Sequence, residues 1–392
     1  MCETVDRIME LGIKSTGSIR ILIVVVTYNC EKFVDYIIDS LNRQVYDLSR
    51  VLLVVIDNAS KDHTLNKMLL GLRGFSKLNW LVVRLSRNYG FVLANNAALY
   101  LAKKLLGDLN SCIVVFLNPD TRIFSEHFLW HVELLSSRFP IVGFAMVSGD
   151  NDVVDSLGAY VDYLGSPQDI LCGVRISTRL AMLIKRLPLL YSTPYVCFAA
   201  VAVRGDVLES LGFLRPFYVM YFEDTEYCLR AWSKGSPVLV HKEFMIWHAR
   251  GGTQASTLGS GDVQSRDKVL DIMLHFSKNS LLLTYEYLGV IRFLLRSLMY
   301  LVVSISLRRK RLARAFCEAL KIIVRERIKP RKLPKGLVLF DFRTWVLLWA
   351  LKCLLQGPSR VQRSLQGCIV YGVQRASFEY LCRRVLRMYN RT

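Results

Sequence analysis

The chain repeatedly places small groups of polar and acidic residues immediately after apolar runs, and these groups have the chemistry to hold a nucleotide. Val114-Val115-Phe116-Leu117 runs straight into Asn118-Pro119-Asp120-Thr121, a turn with one carboxylate. Pro119 cannot donate to a strand ladder, so the strand stops there and Asp120 falls just past its end. Thr27-Tyr28-Asn29, Asp57-Asn58-Ala59-Ser60 and Arg87-Asn88-Tyr89-Gly90 follow three other apolar runs in the same manner. Open α/β sheets bind ligands beyond the carboxyl ends of their strands. One such group alone is an ordinary turn or cap; four on one edge predict a nucleotide-type site. Farther on, Glu223, Asp224 and Glu226 open a helical stretch behind Tyr221-Phe222. Acids suit a helix N-terminus. His248 ends a later apolar run, just ahead of Gly251-Gly252.

The elements that must position these groups alternate in type. Residues 19–26 (IRILIVVV), 51–56 (VLLVVI), 80–85 and 112–117 read as buried strands, because continuous apolar runs fit strands covered on both faces. Residues 31–41, 65–72 and 92–106 have helical spacing. Strands alternating with helices predict βαβ units and a mixed, mostly parallel α/β sheet flanked by helices. The second half is less regular. It offers an apolar strand over 195–203, a helix end at 209–213 and two short strands at 238–240 and 244–247. In the acidic helix, Tyr221, Leu229 and Trp232 are expected on the core side. Residues 1–18 read as a weakly ordered lead-in.

Charge divides the chain more sharply than pattern does. The net charge is +20 over 392 residues. From Ser277 onward there are 24 Lys/Arg and 5 Asp/Glu, a balance of +19, which leaves +1 for the rest. Residues 281–307 and 337–355 combine apolar stretches with Arg, and the second also carries Trp345 and Trp349. Such helices suit an anionic membrane interface. No window of 18 uncharged apolar residues exists, so a plain membrane span is not expected. Nucleic acid is a weaker fit, because no recognised binding module accompanies the charge. The ten cysteines show no C-x-x-C and the N-terminus no signal-peptide core, which together predict a cytoplasmic protein, peripheral on the inner face of the cell membrane.

Taken in order, these motifs resemble those of family 2 glycosyltransferases of the inverting GT-A type, close to the rhamnosyltransferase-like branch. The likeness rests on Thr27-Tyr28-Asn29, Asp57 to Asp62, Asn88 to Phe91 with Asn95-Asn96, Asn118 to Thr121, Phe222-Glu223-Asp224 with Leu229-Arg230, and His248 with its two glycines. It spans roughly residues 19–280. The resemblance implies a Rossmann-like GT-A domain over 19–277, after the lead-in and before a basic, amphipathic helical region over 278–392. It implies a nucleotide-diphosphate sugar donor, UDP- or dTDP-linked, and a glycan or lipid-linked acceptor. Thr27, Asn29 and Asp57 would hold the nucleoside, Asn88 and Asn96 the ribose–diphosphate channel, and Asn118 the ribose. Asp120 would bind Mg²⁺ or Mn²⁺, with His248 as a further metal or phosphate ligand. Asp224 would be the base, with Glu223 beside it. Two departures stand out: Asn118 replaces the first acid of the family's D-x-D, and Cys197-Phe198-Ala199 replaces a small Ser-Gly-Ala turn. A binding protein that keeps the fold without turnover, or a nucleic-acid-associated protein acting through its basic tail, are the remaining alternatives.

Overall fold

A computed structural model of the chain describes residues 7–13, 19–162, 165–249, 274–306 and 310–334. The chain divides into two compact units: the first draws on Met1–Val161, Pro167–Gly259 and Leu333–Leu339, the second on Asp162–Ser166, Ser260–Lys332 and Phe340–Thr392. The expected features at Gly251-Gly252 and over 337–355, with Trp345 and Trp349, lie outside the described residues.

Numbered along the chain, the first unit's strands begin β1 (Arg7–Gly12), β2 (Ile21–Thr27), β3 (Val51–Asp57), β4 (Asn79–Arg84) and β5 (Ile113–Leu117). They continue with β6 (Thr121–Ile123), β7 (Ile141–Ser148), β8 (Val153–Ser156), β9 (Ala159–Val161) and β10 (Pro167–Asp169). The last are β11 (Leu190–Ser192), β12 (Ala200–Arg204) and β13 (Val238–His248). An 11-stranded sheet runs β1-β4-β3-β2-β5-β12-β7-β13-β11, with β6 on β13 and β8 on β7. Strands β4, β3, β2 and β5 are mutually parallel, and β7 and β13 run the same way, so six of the eleven share one direction.

Helices α1 (Val34–Asn42), α2 (Thr64–Arg73) and α3 (Gly90–Leu106) are the crossovers between the parallel strands. Ile21, Ile23 and Val25 of β2 and Val51, Leu53 and Val55 of β3 pack on one face with Ile37 and Leu41 of α1 and Met68 and Leu72 of α2. α4 (Phe128–Ser136) adds Phe128 and Val132 to that core. α3 lies against β2 and β3, whose intervening residues Leu22, Val24, Leu52 and Val54 are equally buried. Apolar side chains on both faces are what a continuous run requires, and one strand register brings Thr27 opposite Asp57 and Asp57 opposite Arg84.

Three sequence expectations change. Residues 7–12 are a strand, paired antiparallel to β4, rather than a weakly ordered lead-in. A short, partly charged segment hides from periodicity yet suits a sheet edge; here Glu10 pairs with Arg73 at 2.6 Å. Residues 238–248 are one strand, and the polar His241-Lys242-Glu243 interruption is a register shift within it. The apolar run at 195–203 contributes only Ala200–Arg204 to the ladder.

The second unit is helical where described. Residues 274–283 lead into a π-turn at Thr284–Leu288, then α8 (Val290–Ser306) and α9 (Lys310–Arg325). Glu286 is buried and paired with Arg331 at 2.5 Å. Among the described residues, no helix is long and apolar enough to cross a membrane.

Candidate active site

The register of β2, β3 and β4 forces their terminal polar residues together. Asp57 is fully buried: its Oδ1 accepts from Thr27 Oγ1 at 3.2 Å and its Oδ2 from Ser60 N at 3.2 Å, with Arg84 at 3.8 Å. The backbone N–H of Asn29 donates to Ser60 Oγ at 3.0 Å, and its side-chain oxygen accepts from Lys61 N at 2.7 Å. Asn29 and Ala59 both have positive φ, 47° and 64°, so the two loops are held in conformations their side chains disfavour. Asn58 extends the chain of bonds: its Nδ2 donates to Asn88 Oδ1 at 2.9 Å and its Oδ1 accepts from Tyr89 N at 2.9 Å. Thr27, Asn29, Asp57 and Asn88 thus form one braced rim. Asp57 braces the loops from inside; Asn29 is half-buried and Asn88 exposed at the rim's surface.

Asn96 is used differently. It is buried, its Nδ2 donates to Leu214 O at 2.7 Å, and its Oδ1 accepts from Leu214 N at 3.1 Å. Both halves of the amide are therefore committed to the loop before the acidic helix.

The second group forms where three strands end side by side. β6 pairs with β13 so that Thr121 faces His248, which brings Asp120 beside the imidazole. β8 reaches the same place through β7. The result is one histidine between two acids: Nε2 lies 3.4 Å from Asp120 Oδ1 and Nδ1 lies 2.9 Å from Asp155 Oδ2. Burial opposes protonation of His248, but the two carboxylates outweigh it and raise its pKa to about 9. Asp155, buried at 1% exposure, was not singled out from sequence. Its only signal was an acid in a short strand of irregular context. Asn118 is half-buried beside this pair, with its backbone N–H donating to Ala199 O at 2.9 Å.

This donor set fits a divalent cation sparingly. Asp155 accepts the Nδ1 proton, so a neutral imidazole presents its Nε2 lone pair toward Asp120. One carboxylate oxygen and one imidazole nitrogen can share an ion whose other positions go to phosphate oxygens and water. Among the described residues there is no cluster of three or more His, Cys, Asp or Glu that could hold a metal. The site leans on its ligand.

The third group is α7 (Glu223–Ser233), entered through unusual backbone. Val219 sits at φ 62°, ψ −62°, and Met220 N donates to Tyr218 O at 2.7 Å, which together make a γ-turn of the rare strained hand. Tyr221 and Phe222 also have positive φ, 66° and 68°. Strain of this kind persists only where the surroundings over-determine it. Here Glu226 pairs with Arg215 at 3.3 Å and Arg230 at 3.2 Å, and Arg230 donates to Leu211 O and Phe213 O. Val92 N donates to Val219 O at 3.1 Å, which ties the turn to the start of α3. Leu229 is buried as expected, but Phe222 takes the core position expected of Tyr221, and Trp232 is half-buried.

These restraints present Glu223 and Asp224 as a half-buried acidic pair. Burial, reinforced by Asp169, raises Asp224 to about 6; burial and the Asp224 charge raise Glu223 to about 8. Asp224 Oδ1 accepts from Thr225 N at 2.6 Å, which favours its charged form. Half-buried Cys197 lies within electrostatic reach of Asp155, Asp169 and Asp224, so the acids gather around one strand end. Phe198 next to it points into the core, with its ring stacked 5.1 Å from Phe116 and edge-on to Tyr227 at 5.7 Å.

Residues 22–211 match the family described as Glycosyl transferase family 2. This stretch, just under half of the chain, is similar to a family 2 glycosyltransferase domain. Its mixed, mostly parallel sheet flanked by helices is the GT-A arrangement. No curated protein matches the chain. Similar solved structures include GalNAc-T7 with UDP, GalNAc and Mn²⁺ (TM-score 0.48, 13% identity, 70% of this chain). The chain spans 49% of that protein's length. The mannosyltransferase PcManGT from Pyrobaculum calidifontis, in complex with GDP-Man and Mn²⁺, gives 0.49 and 15% over 91% of this chain and 86% of its own. S. aureus TarS 1-349 with UDP-GlcNAc gives 0.47 and 17% over 82% and 84%. Likenesses this distant carry no argument about substrate.

Asn96 provides a test that separates bracing from ligand contact. Asn96→Ala removes two buried hydrogen bonds and leaves the Leu214 backbone unsatisfied, a loss of about 2–3 kcal/mol. Urea denaturation should show that loss, while UDP affinity of the folded variant stays within about twofold of the parent, since distant sites add independently. A large affinity loss at unchanged stability would instead make Asn96 a ligand contact.

Proposed function

We propose that residues 19–277 form an inverting glycosyltransferase that moves a sugar from a nucleotide-diphosphate donor to a hydroxyl. The observation that carries this reading is the half-buried Asp224 carboxylate, held near Asp169 behind a strained turn on a domain that matches family 2. The Thr27–Asn29 and Asp57–Ser60 loops receive the nucleoside. Asp57, buried behind them with both oxygens engaged, shapes these loops, and a uridine or thymidine carrier is the one proposed. Asn88 and Asn118 face the ribose and diphosphate. Asp120 and His248 would hold Mg²⁺ or Mn²⁺, which would supply positive charge against the departing diphosphate. Asp155 fixes the His248 ring for that task.

Asp224 accepts the acceptor's hydroxyl proton as the oxygen attacks the anomeric carbon opposite the nucleotide. The carbon–oxygen bond to the diphosphate breaks with that pair of electrons leaving on the nucleotide, and configuration inverts. Glu223, kept neutral by burial and by its neighbour, remains a hydrogen-bond donor to a sugar hydroxyl. A glycan or lipid-linked acceptor fits best, with the basic region over 278–392 bringing the enzyme to a membrane surface on the cytoplasmic side.

Incubation with a panel of UDP-, dTDP- and GDP-sugars and Mn²⁺ tests the reading through nucleotide release and product anomer. Asp224→Asn should reduce turnover at least about a hundredfold. For the parent, kcat/KM should rise with pH through about 6 as Asp224 loses its proton. Stability moves the other way: a carboxyl whose pKa is raised by folding stabilises below its unfolded value and loses that contribution as pH rises through about 6. The parent should therefore lose stability relative to Asp224→Asn between the unfolded carboxyl range and that point. A pH-independent difference would remove Asp224 from the acidic pair. Separately, Asp155→Asn should weaken Mn²⁺ binding, read by electron paramagnetic resonance, by about 10–100-fold.

A further inference from the structure

Helix α8 is built inside out. Its buried face carries Arg296, Ser297, Tyr300 and Ser304 along with Phe293. Arg296 donates through Nη2 to Ser166 Oγ at 2.9 Å and through Nε to Tyr300 Oη at 3.2 Å, while Ser280 Oγ lies 2.8 Å from the same hydroxyl. Those bonds fix the helix's rotation within the second unit. The opposite face carries Ile291, Leu294, Leu295, Leu298, Val302 and Ile305, and the first and last of these are 76% and 70% exposed. Their spacing of three and four residues makes one continuous aliphatic stripe along 17 residues. Polar groups inside and aliphatic groups outside is the reverse of what water selects, and a stripe of this extent marks a contact surface.

Charge decides what covers it. Residues 274–306 and 310–334 hold 12 Lys/Arg and 3 Asp/Glu, a balance of +9. α9 buries Leu312, Ala315, Ala319 and Ile323 and exposes Leu320 and Val324 beside Lys321 and Arg325. A second copy would set +9 against +9. Residues 335–392 hold 10 Lys/Arg and 2 Asp/Glu, so they would bring a further +8. Nucleic acid would answer the charge but offers no apolar surface to the stripe. An anionic lipid surface answers both.

We infer that the aliphatic face of α8 docks in the plane of an anionic phospholipid bilayer, with the cations of α9 at its headgroups. Arg292 and Arg296 within the helix keep it lying on the membrane rather than crossing it. This deepens the membrane-surface part of the reading above, and it is tested without any sugar transfer. A failure here leaves the glycosyltransferase reading standing, and the reverse also holds.

The test is flotation of the full chain with phosphatidylcholine vesicles with and without phosphatidylglycerol, at low and high salt. The parent should float with anionic vesicles, less so at high salt. The variant Ile291→Ser/Leu298→Ser/Ile305→Ser should lose vesicle binding by at least about tenfold with its circular dichroism unchanged. In the parent, anionic vesicles should slow amide hydrogen exchange over 290–306 and leave β2 and β3 unaffected, a readout that stands even if the variant misfolds. Undiminished flotation of the triple variant would overturn the inference. So would a parent dimer that the variant breaks, protection of 290–306 before any lipid is added, or salt-sensitive RNA binding without flotation.

Discussion

One imidazole between two carboxylates is the constraint on which the catalytic unit depends. His248 can meet Asp120 and Asp155 at once only if β6, β13, β7 and β8 end at a common level. That requirement accounts for the otherwise awkward β13, whose register shift near His241 lets an 11-residue strand stay paired to β7 and still deliver its last residue to the rim. Two buried carboxylates this close would repel without a cation between them. The imidazolium supplies it, and the two carboxylates in turn hold the His248 pKa up at about 9.

The acidic pair on α7 is positioned by a separate device. Three positive-φ residues in four positions are costly, and they are tolerated because buried ion pairs and the Asn96–Leu214 bonds fix both flanks. Glu226, which looked from sequence like one of three equivalent acids, is a structural member of that device. Glu223 and Asp224 are left facing the gathering of acids around Cys197. Rigid support behind a base matters because proton transfer demands hydrogen-bond geometry at the moment of attack.

Much of this was legible in the chain. The runs at Ile21, Val51 and Ile113 are apolar at every position, so their burial on two faces and their polar ends could be read directly. The partnership of Thr27 with Asp57 follows from register once the strands are parallel. What escaped was set by long-range packing. Asp155 meets its histidine 93 residues away, and Asn96 spends its amide on a backbone 118 residues away; neither leaves a local mark. β1 lacked an apolar run because it is an edge. Phe222 rather than Tyr221 faces the core because the left-handed backbone there rotates the side chains off the helical pattern.

In the proposed reading, Asp120 would join a divalent cation to a nucleoside diphosphate at the end of β5, although Asn118 denies it a second acid. Calorimetric titration of UDP into the full chain, with and without Mn²⁺, tests this most directly when repeated on Asp120→Ala. The account predicts that Mn²⁺ tightens UDP binding at least about tenfold in the parent and has no effect in the variant. Equal tightening in both proteins, or none in the parent with UDP, dTDP or GDP, would contradict it.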